Sequence, residues 1–271
     1  MKNIINTVLA AILLITISSQ QLFSQDIKEV FGAVGTGIIA GRISEADARQ
    51  EAINNAKVEA LRKAGVKENL QQYEMLFRSE VNQDFTEFFS SDIQAELNGA
   101  VQKYEVVREE KKIDPTSGLF TVEVTLNATV ILYSSRPDPA FNVQIKGMKG
   151  VYEDGENLTF SIFSSRNCYL HIFTITDTET SVLYPNKYEK FKQIESGKDI
   201  VFPLAHLDYP MYALGKKPEM NRLVFVFTKE PIQFLNYKGE ERITTPESIF
   251  SWVYGMTPDM RKVEYITFTI R

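Results

Sequence analysis

The stretch SSRNCYLHIFTI, residues 164–175, decides how the second half of this chain folds and what chemistry it can offer. It holds the only cysteine, Cys168, and one of the two histidines, His171. A thiol and an imidazole are the usual parts of a nucleophilic site. The stretch reads as a β-strand, however, and successive side chains of a strand point to opposite faces. One face would carry Cys168, Leu170 and Ile172, and the other Tyr169, His171 and Phe173.

Cys168 and His171 are therefore predicted not to meet, and Cys168 is predicted to be a small residue of the apolar core. A catalytic cysteine would need His206 instead, and nothing in the sequence places His206 nearby. One cysteine and two histidines would need carboxylates to complete a zinc site, and no ligand spacing is present. We accordingly assign no catalytic, cofactor-binding or metal-ligating residue and no cofactor. If the face that bears His171 is exposed, replacing His171 should change little.

From residue 141 onward, short stretches rich in Val, Ile, Phe, Tyr and Thr alternate with turn residues. Seven of them read as strands: FNVQIKGM, NLTFSIFS, CYLHIFTI, SVLYP, DIVFPL, RLVFVFT and VEYITFTI. This spacing predicts an all-β, immunoglobulin-like sandwich over residues 141–271. One short helical insertion is predicted to start at Pro246, because the apolar residues that follow have i, i+3, i+4, i+7 spacing. They are Ile249, Trp252, Val253 and Met256, which would pack on their own domain or, alternatively, form a docking surface.

The first half of the chain has a different pattern. Residues 27–41 read as an apolar strand that contains glycines, and SEADARQEAINNAKVEALRKAG, residues 44–65, reads as a helix. Ser44 and Asp47 are spaced as a capping box, and Gly65 ends the helix. The glycines in the strand are predicted to mark a bulge or the close approach of this helix. A row of methyl groups on the helix would allow that approach: Ala48, Ala52, Ala56, Ala60 and Ala64.

A hairpin is predicted next. The stretches QKYEVVREEKK and LFTVEVTLNATVIL are joined by turn residues 113–118, and the second alternates apolar and polar residues as a strand with one buried face does. Residues 68–99 are predicted to be helical in two pieces. The fold expected for residues 25–134 is therefore α+β, with a helix packed on a small antiparallel sheet. Residues 135–140, SRPDPA, contain two prolines, and we place the linker between the two domains there.

The first 24 residues predict export. MKNIINTVLAAILLITISSQQLFS has one basic residue, an apolar run and a polar end with small residues, which is typical of a secretory signal peptide. The run is shorter than the roughly 20 residues that span a bilayer. We expect cleavage after Ser24 and no lipid attachment, because no cysteine lies nearby. The remaining protein is expected to be periplasmic or secreted and not to span a membrane.

Charge and cysteine content exclude two classes of partner or framework. Residues 25–134 contain 12 basic and 18 acidic side chains, and residues 135–271 contain 17 of each. Neither half is basic, so a nucleic-acid partner has no electrostatic support. A single cysteine cannot form an internal disulfide.

Two local motifs suggest ligand chemistry but fail on context. Gly35-Thr36-Gly37-Ile38-Ile39-Ala40 matches a dinucleotide fingerprint, yet the following helix begins too late for its N-terminus to hold a pyrophosphate. Acidic residues in tight turns can bind calcium, yet turns favour them for backbone reasons, and the EF-hand spacing is missing here. These residues are Asp154, Glu156, Asp177 and Glu179.

Residues 27–133 resemble the amino-terminal domain of flagellar assembly protein T and related small envelope lipoproteins. The resemblance rests on the glycine-containing strand, the alanine-rich helix and the hairpin, and it implies an assembly role in the periplasm. Residues 141–234 resemble a bacterial envelope β-sandwich domain of unknown function that is often found beside caspase-like peptidases or protein kinases. VYEDGENLTF, CYLHIF and LYPN carry this second resemblance, which implies no catalytic residues.

These observations favour a non-enzymatic, exported cell-envelope protein with an assembly or scaffold role, acting through contacts with another envelope protein. One alternative is a hydrolase of envelope glycan or protein, whose carboxylate pair is gathered by the fold. A second alternative is a β-sandwich that binds a glycan or small ligand, for which exposed aromatic residues around a shallow groove would be the sign. The sequence does not fix the oligomeric state.

Overall fold

The computed structural model describes residues 26–41, 43–66, 98–176, 178–203, 207–215 and 217–271. Several sequence-based predictions lie outside these residues. They are the signal peptide, nearly all of the two helical pieces predicted between the first helix and the hairpin, Asp177 and His206.

The first half of the chain forms a three-stranded antiparallel sheet with one helix on it. The elements are β1 (Asp26–Ile39), α1 (Glu45–Ala64), β2 (Gly99–Ile113) and β3 (Phe120–Leu132). β3 lies in the middle, paired with β1 on one side and β2 on the other. The buried face of β3 carries the alternating apolar residues expected from the sequence: Val122, Val124, Leu126, Ala128 and Val130. The α+β prediction for these elements agrees with this arrangement.

Helix α1 begins and ends as its sequence predicts. The Ser44 side chain accepts a hydrogen bond from the Asp47 backbone N–H, and the Asp47 carboxylate accepts one from the Ser44 backbone, so the capping box is complete. Gly65 closes the helix in the left-handed region, with φ of 108°. Every alanine of the predicted row is buried against the sheet. A Cβ atom at Gly35 would lie 2.2 Å from the Ala52 carbonyl oxygen, which explains why the strand carries a glycine there.

The second half of the chain is rich in β-structure. Its strands are β4 (Val143–Lys146), β5 (Val151–Tyr152), β6 (Phe160–Ser164), β7 (Cys168–Ile175), β8 (Thr180–Tyr184), β9 (Gln193–Ile194), β10 (Asp199–Phe202), β11 (Glu219–Thr228) and β12 (Arg261–Ile270). One sheet has the order β10-β6-β4, and the other has the order β5-β12-β11-β7-β8 with β9 paired to β7. Each of the seven predicted strands is present, and the short β5 and β9 were missed. The two sheets share an inner core, in which Phe160 and Phe225 meet edge to face.

The larger sheet is buried on both faces. Along β7, Cys168 lies in the inner core with Leu170 and Ile172, whereas Phe173 belongs to a second, outer core on the opposite face. A short helix, α2 (Pro246–Tyr254), covers this outer face and buries Ile249, Phe250, Val253 and Tyr254. The face that bears His171 is therefore not exposed, and His171 itself is 0% exposed. The expectation that this histidine could be replaced freely loses its basis.

The two halves of the chain meet through the outer core. Residues of β1, α1 and β3 belong to the same buried cluster as residues of α2 and the larger sheet. The Tyr133 hydroxyl donates a hydrogen bond of 3.0 Å to the Tyr254 carbonyl, and Lys229 pairs with Asp138 at 2.6 Å. Tyr133 just before the predicted linker and Asp138 within it are thus both bonded to the second half, and the domain boundary at residues 135–140 stays a prediction. Within the described ranges, the helices are too short or too polar to cross a membrane.

Candidate functional site

Cys168 lies in a site that suppresses thiol chemistry. Its side chain is fully buried in the inner core, and its Sγ is 3.4 Å from the Ser164 hydroxyl, to which it donates. Burial raises the pKa of the Cys168 thiol, because an apolar surrounding disfavours the thiolate. Since the thiolate is the reactive form, the buried thiol is a poor nucleophile.

His171 lies on the other side of the same strand, as the alternation of the sequence predicts. Its Nε2 accepts a hydrogen bond of 3.2 Å from the Phe234 backbone N–H. In a neutral imidazole the other nitrogen then carries the proton, so Nδ1 is a donor. Within the described residues this donor has no partner. Burial, with a smaller contribution from the charge of Arg242, lowers the pKa of His171 to about 3, so the ring is neutral at physiological pH.

An aromatic cluster surrounds His171 and forms the centre of the outer core. Trp252 on α2 meets three rings, with centroid distances of 4.9 Å to His171, 5.9 Å to Phe173 and 5.4 Å to Phe234. All three pairs are close to edge-to-face, the arrangement that aromatic quadrupoles favour. The indole N–H of Trp252 is buried and has no hydrogen-bond partner in the described part of the chain. A buried donor without an acceptor costs about 1–3 kcal/mol.

A cavity of about 580 Å³ opens beside this cluster, where β2 of the first half meets α2 and the segment 232–236 of the second half. We call it the junction cavity. Among the described residues of its lining, Lys103 carries the only charge. Leu235 stands at its edge with 71% of its surface exposed. The lining residues are Gln102, Lys103, Ile232, Phe234, Leu235, Asn236, Ser248, Ser251, Trp252, Gly255 and Met256.

The β2 wall of the junction cavity is irregular. The pairing of β2 with β3 shifts register between Val101 and Lys103, so Gln102 is an extra residue in the strand. Such a β-bulge redirects side chains and commonly lies at sheet edges beside binding sites. β2 is an edge strand of its sheet. The bulge therefore places Gln102 and Lys103 in the wall of the cavity.

A second, smaller cavity of about 250 Å³ lies at one end of the inner core. We call it the sheet-end cleft. Its apolar lining includes the buried side chains of Leu158, Leu223, Phe268 and Ile270. Its polar lining includes Thr174, Thr176, Glu179, Ser181 and Asn221. The segment 209–214 forms the rim, where Tyr212 is 58% exposed.

Tyr209 of this rim is held by a polar network. Its hydroxyl donates to the Glu189 carboxylate at 2.6 Å and accepts a hydrogen bond from the Asn186 amide. Asn186 also accepts from the backbone N–H groups of Tyr188 and Glu189, so it shapes the turn that carries the carboxylate. Burial and the hydrogen bond to Glu189 raise the pKa of Tyr209 well above its ordinary value. The phenol is therefore neutral, and its hydroxyl is occupied by neighbouring side chains.

In the first of the two acidic turns that suggested calcium, both carboxylates are bound to other groups of the chain. Asp154 pairs with Lys217 at 2.8 Å and accepts a hydrogen bond from the Ala213 backbone N–H. Glu156 pairs with Lys149. Asp177 lies outside the described residues. Among the described residues, no three side chains of His, Cys, Asp or Glu lie close enough together to hold a metal ion. Glu179 lies in the wall of the sheet-end cleft instead.

Residues 151–231 match the sequence profile of a domain of unknown function, DUF4384. This match supports an uncharacterised bacterial domain in the second half of the chain, in the region where the sequence resembles an envelope domain of unknown function. It includes most of the lining of the sheet-end cleft, except Phe268 and Ile270. The resemblance of the first half to flagellar assembly protein T receives no support. No curated protein matches the chain.

Sequence reasoning missed both cavities. Asn186 was noted only as part of LYPN, and Gln102 and Lys103 only as the start of QKYEVVREEKK. No role was predicted for Tyr209. Tyr209 acquires its partners from a turn near residue 186, which no local pattern links to it. The bulge at Gln102 had one available signal, because it interrupts the alternation of polar and apolar residues along β2.

Proposed function

We propose that this chain is an exported, non-enzymatic cell-envelope protein that works by binding another envelope protein through the junction cavity. The observation that carries the proposal is the composition of this cavity, to which both halves of the chain contribute. Export is supported by the pattern of residues 1–24. We further propose that the two sheets of the second half form an immunoglobulin-like sandwich, for which their shared inner core is the support.

The lining of the junction cavity suits a segment of polypeptide. Phe234, Leu235 and Met256 offer apolar contacts, and the hydroxyl and amide groups beside them can bind a backbone. Interfaces between modules are frequent positions for binding sites. The cavity's volume of about 580 Å³ is enough for one or two side chains of a partner.

Charge indicates which side chains those would be. Lys103 is the only charged residue among the described residues of the lining. An ammonium can donate but cannot accept. The partner segment should therefore combine an apolar side chain with an acidic one, so that its carboxylate meets Lys103.

The hydrolase alternative finds less support in the same cavities. Glycoside hydrolysis needs two carboxylates about 5–10 Å apart. Among the described residues that line the junction cavity and the sheet-end cleft, one carries a carboxylate, Glu179. Non-enzymatic binding is therefore the function we propose.

In-cell crosslinking tests this proposal. A photoreactive amino acid at Leu235, at the edge of the junction cavity, should capture a defined envelope protein in living cells. The matched control is the same amino acid at Val201 on β10, which is 59% exposed and belongs to the other sheet. The capture from Leu235 should disappear in Lys103→Glu. It should persist in Lys187→Glu, which changes an exposed lysine outside the cavity.

The results separate specific binding from proximity. A single adduct from Leu235 that Lys103→Glu removes would support the proposal. Equal adducts from Leu235 and Val201, adducts that survive Lys103→Glu, or no adduct at either position would contradict it.

A further inference from the structure

The lining of the sheet-end cleft combines polar and apolar groups. Hydroxyl and carboxylate groups come from Thr174, Ser181 and Glu179, and buried apolar side chains come from Leu223 on β11 and from Phe268 and Ile270 on β12. A ligand that fits this lining needs an apolar surface and a polar edge. Sugar rings have this character, because C–H groups cover one face and hydroxyls surround the edge.

The polar lining of the cleft includes a carboxylate that is not already used. The half-buried Glu179 carboxylate makes no hydrogen bond or ion pair within the described part of the chain. A carboxylate has two oxygens and can accept from two neighbouring hydroxyls at once. The hydroxyls of Thr174 and Ser181 also line the cleft and are hydrogen-bonded to each other at 2.8 Å, which leaves each oxygen with a lone pair for a ligand.

The charge of the lining narrows the ligand class. Among the described residues, Glu179 is the only charged one that lines the cleft. An anionic ligand would bring its charge next to this carboxylate without a cation to balance it. The lining thus favours a neutral ligand that is rich in hydroxyl groups.

The rim offers aromatic rings in fixed and accessible positions. The hydroxyl of Tyr209 is bonded to Glu189 and Asn186, so what this residue presents to the cleft is its ring. Tyr212 lies three residues further along, and its exposed ring packs on Gly155, where an added Cβ would lie 3.4 Å from it. Tyrosine rings provide large contact areas with little loss of conformational freedom.

Size sets the length of the ligand. Sites for drug-sized molecules usually have volumes of about 300–1,000 Å³. The cleft, at about 250 Å³, falls just below that range, so it holds one ring and not a chain. We infer that the sheet-end cleft binds a single neutral hexose ring, with Glu179, Thr174 and Ser181 on its hydroxyls and Tyr209 and Tyr212 on its apolar face. This inference is independent of the proposed protein contacts at the junction cavity.

Saturation-transfer NMR on the purified chain without its first 24 residues tests the inference. The probes are the methyl glycosides of glucose, galactose and mannose, together with N-acetylglucosamine and the tetrasaccharide of each sugar. At least one probe should receive saturation, and most strongly on the C–H groups of one ring face. A tetrasaccharide that binds more tightly than its monosaccharide would identify a chain end as the natural ligand, and equal binding would identify the free sugar.

Matched variants connect the signal to the cleft. Glu179→Gln should weaken binding by about tenfold, the loss expected for one charge-assisted hydrogen bond. Tyr212→Ala should weaken it by about fivefold, whereas Tyr212→Phe should not. Glu240→Gln and Tyr104→Ala change an exposed glutamate and an exposed tyrosine away from the cleft, and they should have no effect. Thermal unfolding of each variant shows that it is folded.

The inference is overturned if no probe receives saturation. It is also overturned if a probe binds equally well to folded Glu179→Gln and Tyr212→Ala protein. Binding that only the two cleft variants weaken supports it.

Discussion

The rings of His171 and Trp252 meet at an angle of 66°, with their centroids 4.9 Å apart. This contact joins strand β7 to helix α2, which covers the outer face of the larger sheet. It places the imidazole on the face of β7 opposite to the thiol, so one strand holds both groups without forming a nucleophilic site. Cys168 belongs to the inner core and His171 to the outer one, and the sheet lies between them.

Stability should depend on pH through His171. The native pKa is about 3, against an ordinary value of 6.5, so between these values the unfolded chain binds a proton that the native chain does not. The free energy of unfolding should therefore fall as the pH falls below 6.5, by at most about 1.4 kcal/mol per pH unit. Urea unfolding between pH 6.5 and 5 measures this slope, and the comparison with His171→Gln separates it from carboxylates that titrate nearby, such as Glu264, whose pKa burial raises.

His171→Gln should flatten that slope and lower stability at pH 8, where the Phe234 N–H loses its imidazole acceptor. His206→Gln, at the other histidine, should leave the contribution of His171 unchanged. An identical pH dependence in wild-type and folded His171→Gln protein would contradict the burial of a neutral ring.

Cys168 should be unreactive in the native protein. Burial raises the pKa of its thiol, and the side chain is 0% exposed. A thiol-specific disulfide reagent at pH 8 should detect no thiol in the native chain and one after denaturation. Rapid modification of native protein, with loss of a cellular function, would restore the nucleophilic hypothesis.

Cys168→Ser should cost less than the roughly 1–3 kcal/mol expected for an unpaired buried hydroxyl. The reason is that the Ser164 oxygen, 3.4 Å from Sγ, can accept from the new hydroxyl. Denaturant unfolding of Cys168→Ser and of Cys168→Ser/Ser164→Ala measures the difference. If Ser164 provides the acceptor, the serine at position 168 should be tolerated less well when Ser164 is absent.

Gly35→Ala should disrupt the first half of the chain. Its Cβ would lie 2.2 Å from both the Ala52 carbonyl oxygen and the Ala56 nitrogen, and neither backbone can retreat without separating α1 from the sheet. The loss of stability should be about 3 kcal/mol or more. Gly150→Ala is the control, because nothing lies within 4 Å of a Cβ there. Equal unfolding midpoints for the two variants would show that the helix does not pack as closely as described.

Export should leave Gln25 as the first residue. Mass spectrometry of the protein from the periplasmic or secreted fraction checks this directly. Leu14→Arg interrupts the apolar run of the leader and should leave a full-length chain inside the cell, whereas Lys2→Arg keeps the positive charge and should not. A wild-type protein that retains residues 1–24 and stays in the cytoplasm would refute the proposed localisation.

Local patterns were sufficient to predict the longer strands and the two helices of the described residues. The capping box at Ser44 and Asp47 fixed the start of α1, and glycine at position 35 correctly indicated a close helix. The alternation along CYLHIFTI correctly separated Cys168 from His171. Each of these predictions depends on residues that are neighbours in sequence, or on one element packed against the next.

The candidate sites could not be predicted in this way. Alternation shows which side chains share a face but not what covers that face, so the burial of His171 under Trp252 was missed. The partners of Tyr209, Asn186 and Glu189, lie about twenty residues earlier in the chain, beyond β9 and β10. The junction cavity forms only where β2 and α2, which are far apart in sequence, come together. Such sites depend on contacts between distant segments, which no spacing rule encodes.

Fluorescence of Trp252 reports directly on whether a partner binds at the junction cavity, because Trp252 is the only tryptophan of the chain and lies in the lining of that cavity. The partner captured from Leu235 is added to purified protein, and emission and acrylamide quenching are recorded. Binding of the partner at the junction cavity should produce a saturable change in emission with reduced quenching, and Lys103→Glu should abolish both effects. Binding of the partner that leaves the emission and quenching of Trp252 unchanged would contradict the proposed binding site.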